Sequence, residues 1–563
     1  PSGVHWDTFQ VWLLEARGTP VTLSEVRRRT EKPGPWAARP TDSSQIYKHT
    51  SCWSFALMSK NLTIGTPWKV ITVFAIPLLI GNVVQQMYQV VDAMVVGRHL
   101  GVNALAAVGT TGAMMFLLLG FAWGMTNGLA IPTAQAYGAG DTEAVRRSVA
   151  AGVILTALVA IVITTVGVVF ARQILVLLKT PEELLAGATT FSTISFAGAG
   201  TTMFFNYLSA IIRARGDSRT PLVFLVIATT INIGLVILFV QVLEWGIGGA
   251  AGATVGAQLI SVILCFAYVR SAIPEFAVRR RDWLESRWVF GMHLRIGIPM
   301  GFQASIIAIG SLAVQVRLNT LGTNAVAAYT TAVRVDGLSS AFLASLGLAV
   351  STFVAQNYGA QKTSRILVGV RQGIAMSVGV ALFMALVLIT FGQDIVAMFV
   401  GRGNSEIVDM AHLFLVVNGI FYVLLACLFV TRGALQGLGR VLVPTLSGIL
   451  ELVMRVSTAV LLAGILGYPG IVWASPLAWV AAITMLVPAW LRARKSLAAT
   501  GAELERQRQT LDEEARLDGE AVRGGESRLD SEIARGGESR LDGEAVRDDT
   551  RAPSEQCHCA CGG

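Results

Sequence analysis

Leu100-Gly101-Val102-Asn103-Ala104-Leu105-Ala106-Ala107 returns 221 residues later as Leu321-Gly322-Thr323-Asn324-Ala325-Val326-Ala327-Ala328. At the same offset Ala134-Gln135-Ala136-Tyr137-Gly138-Ala139 returns as Ala355-Gln356-Asn357-Tyr358-Gly359-Ala360. Gly152 pairs in this way with Gly373, Gly216 with Gly437 and Gly249 with Gly470. Both copies lie among long apolar segments. A membrane domain duplicated in this manner suits alternating access, in which two related halves rock around a site held between them.

The surrounding composition sets the class. Of 563 residues 53% are hydrophobic and 14% charged, against about a quarter charged in soluble domains. The shortage is concentrated between Val70 and Leu491, where apolar runs of about 20 residues, each long enough to cross a bilayer as a helix, follow one another. Twelve begin near Val70, Ala104, Ser148, Leu184, Pro221, Ile247, His293, Ala325, Arg365, Val408, Val443 and Gly470. They are rich in glycine and lack the two-residue alternation of a membrane barrel. The expected fold is therefore an all-α integral membrane protein, twelve transmembrane helices in two pseudo-symmetric six-helix bundles.

Five regions are expected: an extension over 1–57, a bundle over 58–270, a connector over 271–292, a second bundle over 293–497, and a polar tail over 498–563. The extension has no helical or alternating period, and Met58 looks like a natural beginning. The tail repeats Arg-Leu-Asp at 516, 528 and 540 and is too polar to bury a core, which predicts disorder. Its Cys557, Cys559 and Cys561 beside His558 have no second ligand pair, so no metal site is read there.

Arginine and lysine set the orientation. Arg146, Arg147, Arg213, Arg215, Arg219, Arg270, Arg279, Arg280, Arg281, Arg432 and Arg440 fall on the side of the connector, and the opposite loops hold Arg98, Arg172, Lys179, Arg317 and Arg402. Both termini are expected to be cytoplasmic, in the cell (inner) membrane. This bias accounts for the net charge of +8 without a nucleic-acid partner. The basic connector is expected to lie along anionic headgroups.

No lysine follows a glycine, which excludes a phosphate-binding Walker loop. Covalent catalysis has no candidate residues either, so the chain reads as no enzyme, and uphill movement would need an ion gradient. The ionisable residues inside the apolar spans are Asp92, Arg334, Asp336, Glu451 and Arg455. A charge at membrane depth is costly enough to suggest function. Gln85, Tyr88, Gln89 and Asp92 share one helical face, fit to line a wet cavity. Desolvation favours a neutral carboxyl group, so Asp92 can exchange a proton or, ionised, hold a cation; pairing with Arg98 is the structural alternative. Glu451 and Arg455, four apart, suit an ion pair along one helix. Pro77 and Pro299 stand at matching places in the first helix of each half and can bend it. Gly138 and Gly359 need only a helix-capping explanation at this level.

The run Gln85-x-x-Tyr88-x-x-x-Asp92-x-x-x-x-Gly97, the two Ala-x-x-Tyr-Gly-Ala motifs and the small-residue stretch Gly248–Thr254 resemble the multidrug and toxic compound extrusion family, in the bacterial and archaeal branch that includes DinF-like proteins. The resemblance spans about Met58 to Ser496. It implies two bundles around a central cavity and the exchange of amphipathic, cationic drugs or toxic compounds for H+ or Na+, with no other cofactor. The partners would be small-molecule substrates and the lipid bilayer, and the protein a monomer. The family's cation-coupling cluster falls on Gln85, Tyr88, Asp92, Asn232 and Thr254. An aspartate expected four residues after Asn232 is Val236 here. Coupling then rests on Asp92 alone or draws on a second candidate site in the other half, at Asp336, Glu451 and Arg455. A flippase for a lipid-linked precursor is the alternative function, and would want a cationic central cavity.

Overall fold

The computed structural model describes residues 61–178, 180–401 and 403–538, which are mostly helical with no strand. Among the expectations above, the extension 1–57, Lys179, Arg402 and the tail from 539 with its cysteines lie outside the described residues.

The first half comprises α1 (Pro67–Leu100), α2 (Val102–Gly138), α3 (Thr142–Leu177), α4 (Glu182–Ala197), α5 (Ala199–Ala214), α6 (Arg219–Val236, continued by a π-helix over Ile237–Val242) and α7 (Gly246–Ala272). A short α8 (Arg280–Glu285) lies in the connector. The second half comprises α9 (Phe290–Leu318), α10 (Thr323–Gly359), α11 (Thr363–Val400), α12 (Ser405–Gly437), α13 (Leu442–Leu466), α14 (Tyr468–Val472) and α15 (Ala474–Glu538). Among the described residues eleven helices are individually long and apolar enough to span a membrane. The twelfth crossing is α4 followed by α5, each of 16 residues. The break falls at Gly198, where a Cβ would lie 2.2 Å from Cγ2 of Val255 on α7.

Left-handed turns locate the repeat. Gly101 (φ +85°) and Gly322 (φ +96°) end the first helix of each half, and Gly140 (φ +74°) corresponds to Gln361 (φ +57°). At the turn before α6 and α13 the left-handed residues are Gly216 (φ +98°) and Gly439 (φ +74°). Gly216 therefore corresponds to Gly439 and not to Gly437, an offset of 223. The offset returns to 221 at Gly246 (φ +61°) and Gly467 (φ +66°). Between those turns the first half has the longer stretch. The π-helix takes up surplus residues there, because its wider turns use more of them.

The two halves share their first helices. Val70, Ile71, Phe74 and Ala75 of α1 sit in one apolar core with α10, α11 and α12, whereas Val96 of the same helix packs with Val236, Val240, Ala250 and Ala253. Pro77 lies where α1 passes from one environment to the other. The first bundle drawn over 58–270 thus follows the chain but contains a helix that serves both cores.

The connector packs on the protein. Ile273 and Phe276 are buried in the core of the first half. Arg146 pairs with Asp282 (3.2 Å), Arg147 with Glu285 (2.5 Å) and Arg215 with Glu275 (3.5 Å). These carboxylates draw it onto the first bundle, where an array of arginines alone would favour the headgroups. The tail also differs from the expectation of disorder: α15 continues through the 498 boundary to Glu538. Its Glu, Arg, Ala and Leu are good helix formers, and Arg506 pairs with Glu503 one turn away (3.3 Å).

Candidate functional site

In the first half three side chains meet at one hydroxyl. Tyr88 on α1 donates from Oη to Thr254 Oγ1 of α7 (3.0 Å), and Asn232 on α6 donates from Nδ2 to the same oxygen (3.4 Å). Thr254 donates to the Ala250 carbonyl one turn back (3.3 Å). Asp92 lies one turn beyond Tyr88 on α1. Its Oδ1 is buried and accepts no hydrogen bond among the described residues, and it makes no ion pair with Arg98, which is exposed. A dry carboxylate oxygen with no donor is costly unless a proton or a cation completes it. The geometry therefore offers a site for a small cation or a proton beside three neutral polar groups.

Gln85 and Gln89 do not join this cluster; both are exposed and make no hydrogen bond among the described residues. Val236, at the place of the expected second acid, is 1% exposed and sits among Val96, Val240 and Ala253. The neighbourhood is apolar on that side, and Asp92 is the lone carboxylate of the cluster.

The second half holds a different arrangement. Glu451 on α13 accepts from Arg455 on the same helix (3.0 Å), the pair expected from their spacing, and also from Arg432 on α12 (3.0 Å). The sequence placed Arg432 with the loops, because it stands only a turn and a half before the end of its helix. It is 6% exposed. No spacing rule connects it to Glu451, since they lie on separate helices. Asp336 on α10 accepts from Tyr422 Oη (2.7 Å) and Ser340 Oγ (3.3 Å). Arg334, two residues away, is exposed and makes no ion pair with it among the described residues. Two guanidinium groups and two carboxylates thus sit in a small volume with their charges balanced.

Removing Glu451 would leave two buried cations facing each other. Glu451→Ala is expected to destabilise the protein by about 3–5 kcal/mol, read as a large drop in the melting temperature of the detergent-solubilised protein. A shift within the error of the melt would show that the pair carries no such weight.

The paired Ala-Gln-x-Tyr-Gly-Ala motifs do more than cap helices. Gln135 Nε2 donates to the Gly437 carbonyl (2.9 Å), and Gln356 Nε2 donates to the Ala214 carbonyl (2.6 Å). Gln135 and Gln356 are related by the 221 offset, Ala214 and Gly437 by the 223 offset, so the halves exchange equivalent bonds. A Cβ on Gly138 would fall 1.9 Å from the Gln356 carbonyl oxygen, and one on Gly359 would fall 1.8 Å from that of Gln135. The backbones approach so closely that only glycine fits. The segment before α1 straps the same region: Leu62 N donates to Gln356 Oε1 (3.0 Å), and Lys362 Nζ donates to the Thr63 carbonyl (2.9 Å).

Above this seam the halves touch along α2 and α9, where Gly128 faces Gly297, and along α1 and α10, where Asn82 donates to Ser345 (2.9 Å). The bond from Ser305 Oγ to the Leu117 carbonyl (3.1 Å) is the last between the halves among the described residues. Beyond it Gly109 and Gly112 of α2 and Gly337 of α10 face open space. The hydrogen bonds between the halves thus gather toward the face carrying the connector, and none is found beyond Ser305 among the described residues. Among the described residues no group of three His, Cys, Asp or Glu is placed to hold a metal.

Comparison with known proteins agrees with this architecture. The MatE family model matches residues 77–238 and 299–461, one segment in each half. The chain is 30% identical over 389 residues to the probable multidrug resistance protein YoeA of Bacillus subtilis, covering 68% of this chain and 84% of that protein. It is 29% identical over 414 residues to the probable multidrug resistance protein YpnP of the same organism, covering 73% and 92%. Among solved structures, MATE in complex with MaL6 superposes with a TM-score of 0.73 at 24% identity over 79% of this chain and 99% of that one.

Proposed function

This chain belongs to the MatE family of multidrug and toxic compound extrusion transporters, and on that premise we propose that it exports amphipathic, cationic drugs or toxic compounds in exchange for H+ or Na+. The observation that carries the proposal is Asp92: a carboxylate on the helix shared by both cores, with one oxygen buried and unpartnered beside the Tyr88–Thr254–Asn232 cluster. Binding a cation or proton there neutralises the charge and changes what α1 can pack against. Pro77 removes one hydrogen bond from α1 between its two environments, so a change at Asp92 can alter the angle of α1 and with it the seam. The relatives' descriptions as multidrug resistance proteins support the substrate class. The excess of arginine and lysine at the connector face supports a cytoplasmic seam, and with it a cleft that faces the outside.

The lipid-linked precursor reading gains little. Arg432 and Arg455, which would make a cavity cationic, are held by a shared Glu451. The test is ethidium efflux from proteoliposomes under a proton gradient and, separately, a sodium gradient. Efflux driven by one of them is expected and names the ion. No efflux under either would contradict the proposal.

A further inference from the structure

Arg213, near the end of α5, differs from the partly buried arginines that reach a carboxylate. Arg432 and Arg455 share Glu451, while Arg146, Arg147 and Arg215 each reach a carboxylate. Arg213 has no acidic partner among the described residues. Its Nη2 donates to the neutral Oδ1 of Asn127 on α2 (3.1 Å). It faces a small cavity between the two halves, lined also by Asn127, Gln436, Ser351 and Thr352. The cavity rests directly on the seam, since Ala214, whose carbonyl takes the Gln356 bond, belongs to its floor.

The repeat makes the asymmetry plain. The 223 offset carries Arg213 onto Gln436, which stands on the opposite wall and donates to Gln303 (2.9 Å). One half therefore presents a cation where the other presents an amide. A guanidinium lacking a counter-charge at this depth is costly, and its planar fork of donors matches a carboxylate, sulfonate or phosphate. Hydroxyls and amides from both walls can complete the coordination of such a group.

We infer that the floor of the cleft binds an anionic group of the substrate, with Arg213 as its principal partner. The preferred substrates are then amphipathic cations that also carry an acid, held with the acid at the seam and the apolar body in the cleft above. This deepens the proposed export function and rests on it for the word substrate. The site itself is read by binding, so failure of ion-driven export and failure of this inference are separate results.

Rhodamine B, which has a free carboxylate, and its ethyl ester, which does not, make a matched pair of probes. Their binding to the purified full chain is followed by fluorescence anisotropy. The acid is expected to bind about tenfold or more tightly than the ester, the scale of one charge-assisted hydrogen bond. Arg213→Gln should remove that preference and leave ester binding unchanged, with Arg213→Lys restoring part of it. Equal binding of the two probes by the wild type would overturn the inference. So would an Arg213→Gln protein that loses both probes alike, because Arg213 would then only support the seam. Inorganic phosphate distinguishes the source of the anion. If millimolar phosphate abolishes the preference for the acid, the site takes a free anion and the substrate assignment fails; retained preference supports it.

Discussion

The double substitution Gly138→Ala, Gly359→Ala is expected to cut transport about tenfold or more while both bundles stay folded, because overpacking of this kind costs about 1–3 kcal/mol at each site. The two effects of the substitution have opposite signs. Alanine is the better helix former, so the ends of α2 and α10 gain local stability. The added methyl groups, however, would lie 1.9 and 1.8 Å from carbonyl oxygens of the other half, far inside contact distance. The halves must separate there, and the bonds from Gln135 to Gly437 and from Gln356 to Ala214 lengthen with them. The predicted result is a transporter biased away from the sealed form. Labelling of Ala355→Cys with a membrane-impermeant maleimide checks this: Ala355 is 1% exposed and should be protected in the otherwise wild-type chain and labelled in the double variant. Normal transport with continued protection would show that the close approach is dispensable.

Asp92→Asn is expected to reduce gradient-driven efflux to the leak of protein-free liposomes. The amide keeps the shape of the side chain and loses the charge, so it resembles a permanently neutralised carboxylate. Thr254, Tyr88 and Asn232 are already satisfied by one another, and the described carboxylate oxygen accepts no bond, so folding should be undisturbed. The variant should insert, melt near the wild-type temperature and still bind substrate. Full retention of driven efflux would move the coupling to another group. Asp336, held by Tyr422 and Ser340 in the second half, would be the next to replace.

The architecture was readable because apolar runs and a long repeat survive any detail of packing. Twelve crossings followed from length and hydropathy alone, even where Gly198 divides one of them. The repeat was misaligned by two residues at one turn, since Gly437 and Gly439 look alike in sequence and only backbone handedness separates them. Asn232 and Thr254 came from family resemblance; their meeting with Tyr88 depends on three helices and leaves no spacing signal. Arg432 and Arg213 were taken for loop charges, because a residue within the last two turns of a helix reads like one just outside it. Gln135 and Gln356 were visible as a repeated motif from the start. Their part in joining the halves was not, because a bond to a carbonyl oxygen in the other half places no demand on the residue that supplies it.

The central claim is exchange: substrate in one direction, a cation in the other, through Asp92. Liposomes with no imposed ion gradient, given an ethidium gradient and loaded with proton- and sodium-sensitive dyes, measure it directly. The wild type should move one of the two ions against the flow of ethidium, and the Asp92→Asn variant should move neither. Ethidium flux through the wild type without ion movement, or equal ion movement through the variant, would contradict the account.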